Sequence, residues 1–139
     1  MSENKLWEQI KYFKPSEFDD PTEPGSGLAK MNIEFVKILD AIRADCGFAF
    51  SIDSGYRSVI HNISVGGKTD SAHMKAVAVD ILCPEPFPRF KIIEVALKHG
   101  IKRIGLGQNF IHLDGSLDLP QGVLWVYPPK ATPTNQKGA

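Results

Sequence analysis

The sequence is short of the features that would place it in several large functional classes. No stretch approaches the roughly 20 apolar residues that a membrane-spanning helix needs, so no membrane span is expected. Neither sign of charge is in excess, because 16 Lys and Arg balance 16 Asp and Glu. A protein that held nucleic acid by bulk phosphate attraction would carry a basic surplus, so nucleic acid is not an expected partner. Cysteine is scarce: Cys46 and Cys83 are the only two. They form no Cys-x-x-Cys pair, so a cysteine zinc site is unsupported. They read as buried free thiols, with a disulfide between them as the other reading. There is no Gly-x-Ser-x-Gly elbow, and neither cysteine lies in a nucleophile motif, which argues against a serine or cysteine hydrolase. The polar start over residues 1–7 has no apolar run behind a basic segment, so no secretory signal is expected and synthesis is placed in the cytoplasm.

What the chain does have is enough material for one core. It has 139 residues with 42% apolar side chains, which suits a single domain. Residues 1–27 are broken by Pro15, Pro21, Pro24, Gly25 and Gly27, with a short helical turn expected at Ser16-Glu17-Phe18 and with Phe13 and Phe18 packing onto the body. From Leu28 to about Asp45, Leu28, Met31, Phe35, Val36, Leu39 and Ile42 recur at helical spacing, and Gly47 is placed to stop the helix. Residues 48–53 alternate as a strand, a short helix is expected over 58–63, and Gly66-Gly67 breaks it. Residues 76–82 read as a buried strand ended by Pro84, Pro86 and Pro88. A helix through Phe90, Ile93, Val95, Ala96 and Leu97 then closes at Gly100. Two short strands at 102–107 and 110–114 and a last one at 123–127 complete the body, and 128–139 reads as a loose, flexible tail. The expected architecture is one α+β domain over 1–127, with a small antiparallel sheet and flanking helices.

The chemistry concentrates in two segments, Ser71–Asp80 and His112-Leu113-Asp114. Along the strand at 76–82, Val77, Val79 and Ile81 share one face and Ala76, Ala78 and Asp80 the other. Small alanines beside a carboxylate leave room for an ion or substrate. An acid inside an apolar strand must be paired or metal-bound, and either reading fits Asp80. Taken singly, His73 reads as a solvated loop residue and His112 as a hydrogen-bonded ring on a sheet face. Taken together, two histidines and a carboxylate supply the donor types of a catalytic zinc, which takes three protein ligands and keeps one position open. His73, Asp80 and His112 are therefore the candidate metal ligands.

The pattern Ser71-x-His73-x6-Asp80, followed by His112-x-Asp114, resembles the zinc peptidases of the M15 group. These include D-alanyl-D-alanine carboxypeptidases and phage cell-wall endopeptidases, and they share a fold with the Hedgehog signalling domain. Ser54-Gly55-Tyr56-Arg57-Ser58, His61-Asn62, Val65-Gly66-Gly67 and the downstream Trp125 and Tyr127 extend the likeness from about Phe13 to Tyr127. The resemblance implies bound zinc on His73, Asp80 and His112, a DD-peptidase-like fold, and hydrolysis of peptidoglycan stem peptides or cross-links by a phage or prophage lytic enzyme. It implies a monomer that reaches the cell wall after release or lysis. It further implies that Arg57 stabilises the oxyanion and contacts substrate; the alternative is a loop salt bridge. Ser71 is either a substrate contact or a turn cap. Several relatives place an acidic general base just before the last histidine. Here Gln108 and Asn109 precede it, and Asp114 is the candidate base, its other reading being a partner that orients a histidine. Relatives usually have glycine where this chain has Ala76, a replacement that fails only if the residue must adopt φ > 0. A binding or structural module that keeps its zinc is the alternative function.

Overall fold

The computed structural model describes residues 3–129. In chain order the elements are α1 (Glu3–Trp7), a 3-10 turn (Pro15–Phe18), α2 (Ser26–Lys30), α3 (Ile33–Cys46), β1 (Ser51–Ser54), α4 (Val59–Ser64), β2 (Ala78–Leu82), α5 (Pro86–Lys98), β3 (Arg103–Leu106), β4 (Phe110–Asp114) and β5 (Val123–Val126). The expected tail lies outside the described residues from position 130 onward.

Alternation along the strands divides the sheet into two chemically different faces. In the β2–β4 pairing, Val79 opposes Leu113 and Ile81 opposes Ile111, and these four side chains are almost completely buried. They join Phe35, Val36, Leu39 and Ile42 of α3 and Ile92, Val95 and Ala96 of α5 in one core. Burying each such side chain is worth about 1.5–3 kcal/mol relative to leaving it in water. The intervening residues of the same strands, Ala78, Asp80, His112 and Asp114, lie on the opposite face. The register sets Asp80 beside His112 and Ala78 beside Asp114. The hydrophobic pattern that builds the core therefore also brings the polar residues together.

Several local expectations are corrected. The sheet is mixed: its order is β1-β2-β4-β3-β5, and β5 runs parallel to β3. The helix expected over 28–45 is two helices, because Met31 leaves helical geometry and Asn32 starts α3 afresh, its side chain accepting from Phe35 N–H at 3.0 Å. Gly47 does end α3, at φ 79°. The first strand begins at Ser51 rather than Phe48; Phe48 and Phe50 pack as a tilted aromatic pair instead. Pro86 opens α5 from its first position, where a missing N–H costs nothing, so the helix starts four residues before Phe90. The strand expected from Ala76 starts at Ala78, since Ala76 itself turns through φ 62°. Cys46 and Cys83 are both buried free thiols, and burial pushes the Cys46 thiol up to about 11.

Candidate metal centre

His73, Asp80 and His112 are all buried, and each offers one donor atom within 4.8 Å of the others. Asp80 Oδ1 lies 3.2 Å from His73 Nε2 and 2.9 Å from His112 Nδ1. The two imidazoles face each other at 5.0 Å between centroids. What fits this cluster to a cation is how the other ring nitrogens are used. His73 Nδ1 is 2.7 Å from the Gly55 carbonyl oxygen, which can only accept, so that nitrogen bears the proton and Nε2 presents its lone pair. His112 Nε2 is 2.6 Å from Asp114 Oδ2, which holds that edge of the ring and directs Nδ1 at Asp80 Oδ1, 2.9 Å away. Two imidazole nitrogens and a carboxylate oxygen converge, a donor set that suits zinc.

The His73 side is built from backbone. Gly55, whose carbonyl takes the His73 proton, lies so close to the 3-10 turn that a Cβ there would come within 2.7 Å of Phe18 Cα. Arg57 N–H donates back to the His73 carbonyl at 3.1 Å, and Tyr56 N–H donates to that of Phe18 at 2.9 Å. Ser58 N–H donates to Asp20 Oδ2 at 2.6 Å. Burial alone would raise the Asp20 carboxyl, but hydrogen bonds from Thr22 and Ser58 bring it down to about 2. Ala76 carries the loop into β2 in the left-handed region, and its carbonyl accepts from Asn32 N–H at 3.0 Å. The one condition under which alanine poorly replaces glycine is met here, at a cost of about 1 kcal/mol.

The His112 side is built from side chains. Asp114 is sealed from solvent, with Oδ2 on His112 and Oδ1 accepting from Arg103 Nε at 2.8 Å and Ser116 N–H at 3.0 Å. It therefore lies behind the imidazole, away from the nitrogen that faces Asp80. Trp125 and Tyr127 pack 5.4 and 6.2 Å from the His112 ring. They cross β3 at Gly105, where any Cβ would meet either ring at 2.6 Å.

These surroundings set the charge states. Burial tends to raise Asp80, but the imidazole nitrogens of His112 and His73 set against its carboxylate hold it well below the usual carboxylate range. Burial keeps His73 below its ordinary value, against the pull of Asp80. For His112 burial is outweighed by Asp114 and Asp80, which raise it. An ionised Asp80 and a neutral His73 are the forms a metal requires, whereas loading would displace a proton from His112 at low pH.

Arg57 reaches the same cluster: Nη2 is 3.4 Å from Asp80 Oδ2, while Nη1 donates to Asn62 Oδ1 at 3.1 Å and Nε to Ser54 Oγ at 3.2 Å. Ser71 is half-buried, and its hydroxyl oxygen accepts from His73 N–H at 3.2 Å, the geometry of a turn cap. Asn62, Arg103 and Asp20 escaped the sequence reading as site residues. Strand alternation offered a signal for Arg103, since it lies opposite Asp114. Asn62, on α4, and Asp20, in the loop before α2, carried no such signal.

A buried cluster of two histidines and one carboxylate on the polar sheet face is a donor set that suits a mononuclear hydrolytic metal site. The family model of peptidase M15 matches residues 11–114, which include all three candidate ligands. The chain belongs to the peptidase M15 family, so its class is that of the peptidases. No curated protein matches it.

Proposed function

We propose that the protein is a zinc-dependent peptidase that cuts peptidoglycan stem peptides or cross-links, in the manner of phage lytic enzymes. The observation that carries the zinc assignment is the convergence of His73 Nε2 and His112 Nδ1 on Asp80, each ring being held at its other nitrogen by the Gly55 carbonyl or the Asp114 carboxylate. Zinc bound there would lower the pKa of its water and polarise a substrate carbonyl. Arg57, held by Asn62 and Ser54 beside Asp80, supplies guanidinium N–H groups to a carbonyl oxygen as it gains negative charge. The Ser71 oxygen accepts from a backbone N–H, which leaves its own O–H to donate to a substrate acceptor. Asp114 acts on His112, orienting its ring, rather than on the substrate. A carboxylate with both oxygens engaged and no exposed surface is poorly placed to exchange protons with a bound peptide.

That placement of Asp114 favours a second reading, in which the domain keeps its zinc and binds the cell wall without cutting it. The two readings part at the proton-transfer group. Purified protein incubated with peptidoglycan, with the fragments followed by mass spectrometry, separates them. The peptidase reading predicts new amino termini or released D-amino acids, lost with a chelator and restored by zinc. Zinc-loaded protein that binds cell walls and releases nothing would leave the binding reading in its place.

A further inference from the structure

Arg103 contributes no ligand and lies on β3, yet its side chain ends behind the metal centre. Its strand register sets it directly opposite Asp114, and the side chain is only 12% exposed. A guanidinium so enclosed is costly unless its donors are satisfied. Nε donates to Asp114 Oδ1 at 2.8 Å and Nη1 donates to the Pro120 carbonyl at 2.7 Å. The guanidinium carbon lies 4.9 Å from the centre of the Trp125 ring, a cation–π distance. Two separate contacts of His112 trace back to this residue. Asp114, which binds the Nε2 edge of the imidazole, has its other oxygen on Arg103. Trp125, which packs 5.4 Å from the imidazole centre, lies against the same guanidinium.

We propose that Arg103 is a positioning residue for the metal centre. By orienting Asp114 and supporting Trp125, it holds the His112 ring with Nδ1 directed at the site shared with His73 and Asp80. The proposal rests on the metal-binding reading above. The task needs arginine chemistry: one planar group must serve a carboxylate, a carbonyl and an aromatic ring together. A lysine ammonium is a compact point charge without the rigid fork.

The test is competition for Zn2+ between a chromophoric chelator and the full chain, for wild type, Arg103→Met and Arg103→Lys. Circular dichroism of each metal-free protein reports folding. Loss of an outer partner of a metal ligand typically weakens binding 10–100-fold, and Arg103 stands one bond further out, so Arg103→Met is expected to lose about 10-fold and Arg103→Lys about half that on a logarithmic scale. The visible spectrum of Co2+-substituted Arg103→Met should also shift, because the orientation of the His112 ligand changes. Should Arg103→Met fail to fold, Arg103→Lys decides: several-fold weaker binding in a folded protein supports the proposal. Zinc affinity within about twofold of wild type with an unchanged cobalt spectrum, in whichever variant folds, overturns it and leaves the metal reading standing. Wild-type protein that binds neither ion overturns both.

Discussion

His73 and His112 face the same site but are held in opposite ways. His73 sits in a loop, and its proton goes to a backbone carbonyl, that of Gly55. Around it, Arg57, Tyr56 and Ser58 donate their N–H groups to the carbonyls of His73 and Phe18 and to Asp20. His112 sits in a strand already fixed on both edges, by β2 and by β3. Its ring is oriented by side chains, Asp114 and through it Arg103. A loop has no sheet register to fix its path, so backbone hydrogen bonds must define it. A strand has that register, and what is left to define is the ring's rotation. The His73 side should therefore respond to backbone changes and to the one carboxylate, Asp20, that ties down the neighbouring 55–58 segment at Ser58. The His112 side should respond to deletion of side chains that never touch the metal.

The largest effects should ignore this difference. Replacing either candidate ligand, His73→Ala or His112→Ala, is expected to weaken metal binding by more than about 100-fold, beyond what supporting residues produce. Chelator competition measures it, and a His73→Ala protein that still held its metal would break the symmetry of the ligand set. Next in size, Asp114→Ala should weaken binding by about 10–100-fold while all three ligands remain. Asp114→Asn, whose amide oxygen can still accept from His112, should lose less. Equal losses in the two variants would show that charge, not orientation, is what Asp114 contributes.

The third prediction concerns pH and the His73 side. Asp20 sits at about 2 in the folded protein against an ordinary 3.8. Its ionised form therefore favours folding above about pH 4, and that contribution fades as pH falls toward 2. The difference amounts to about 2 kcal/mol. Denaturant melts between pH 5 and pH 2 should show a shallower acid loss in Asp20→Asn than in wild type. Parallel curves would remove Asp20 from the account of the loop. The smallest effect is a gain: Ala76→Gly relieves the left-handed alanine at φ 62°. After the entropy cost of glycine it should add at most about 0.5 kcal/mol, a rise of about one or two degrees in Tm.

What could be read from the sequence follows the same division. The three candidate ligands could be singled out because they are residue types at a spacing, and the structure brings them together; the shared face of His112 and Asp114 was legible because strand alternation is strict. Both Gly47 and Gly100 were legible as helix stops, and both adopt positive φ. The parallel direction of β5 was not legible, because β3 and β5 are separated by β4 and a loop that no local signal orients. Nor was the break between α2 and α3: Leu28 and Met31 fit the period of α3, and the interruption comes from Asn32, which caps α3 and donates its N–H to Ala76 far along the chain. Asp114 was read as the candidate general base, with orientation of a histidine as the other reading; its position relative to the imidazole depends on ring rotation and on Arg103, which only tertiary packing specifies. The strain at Ala76 was foreseeable only as a condition, since φ at one residue is set by the path of the whole loop.

The most direct test of the account is the metal content of the full chain purified with zinc present. The account predicts one zinc per folded wild-type chain and essentially none in folded His73→Ala, measured by elemental mass spectrometry beside protein concentration. Folded wild-type protein without stoichiometric zinc, or equal zinc in both proteins, would contradict it.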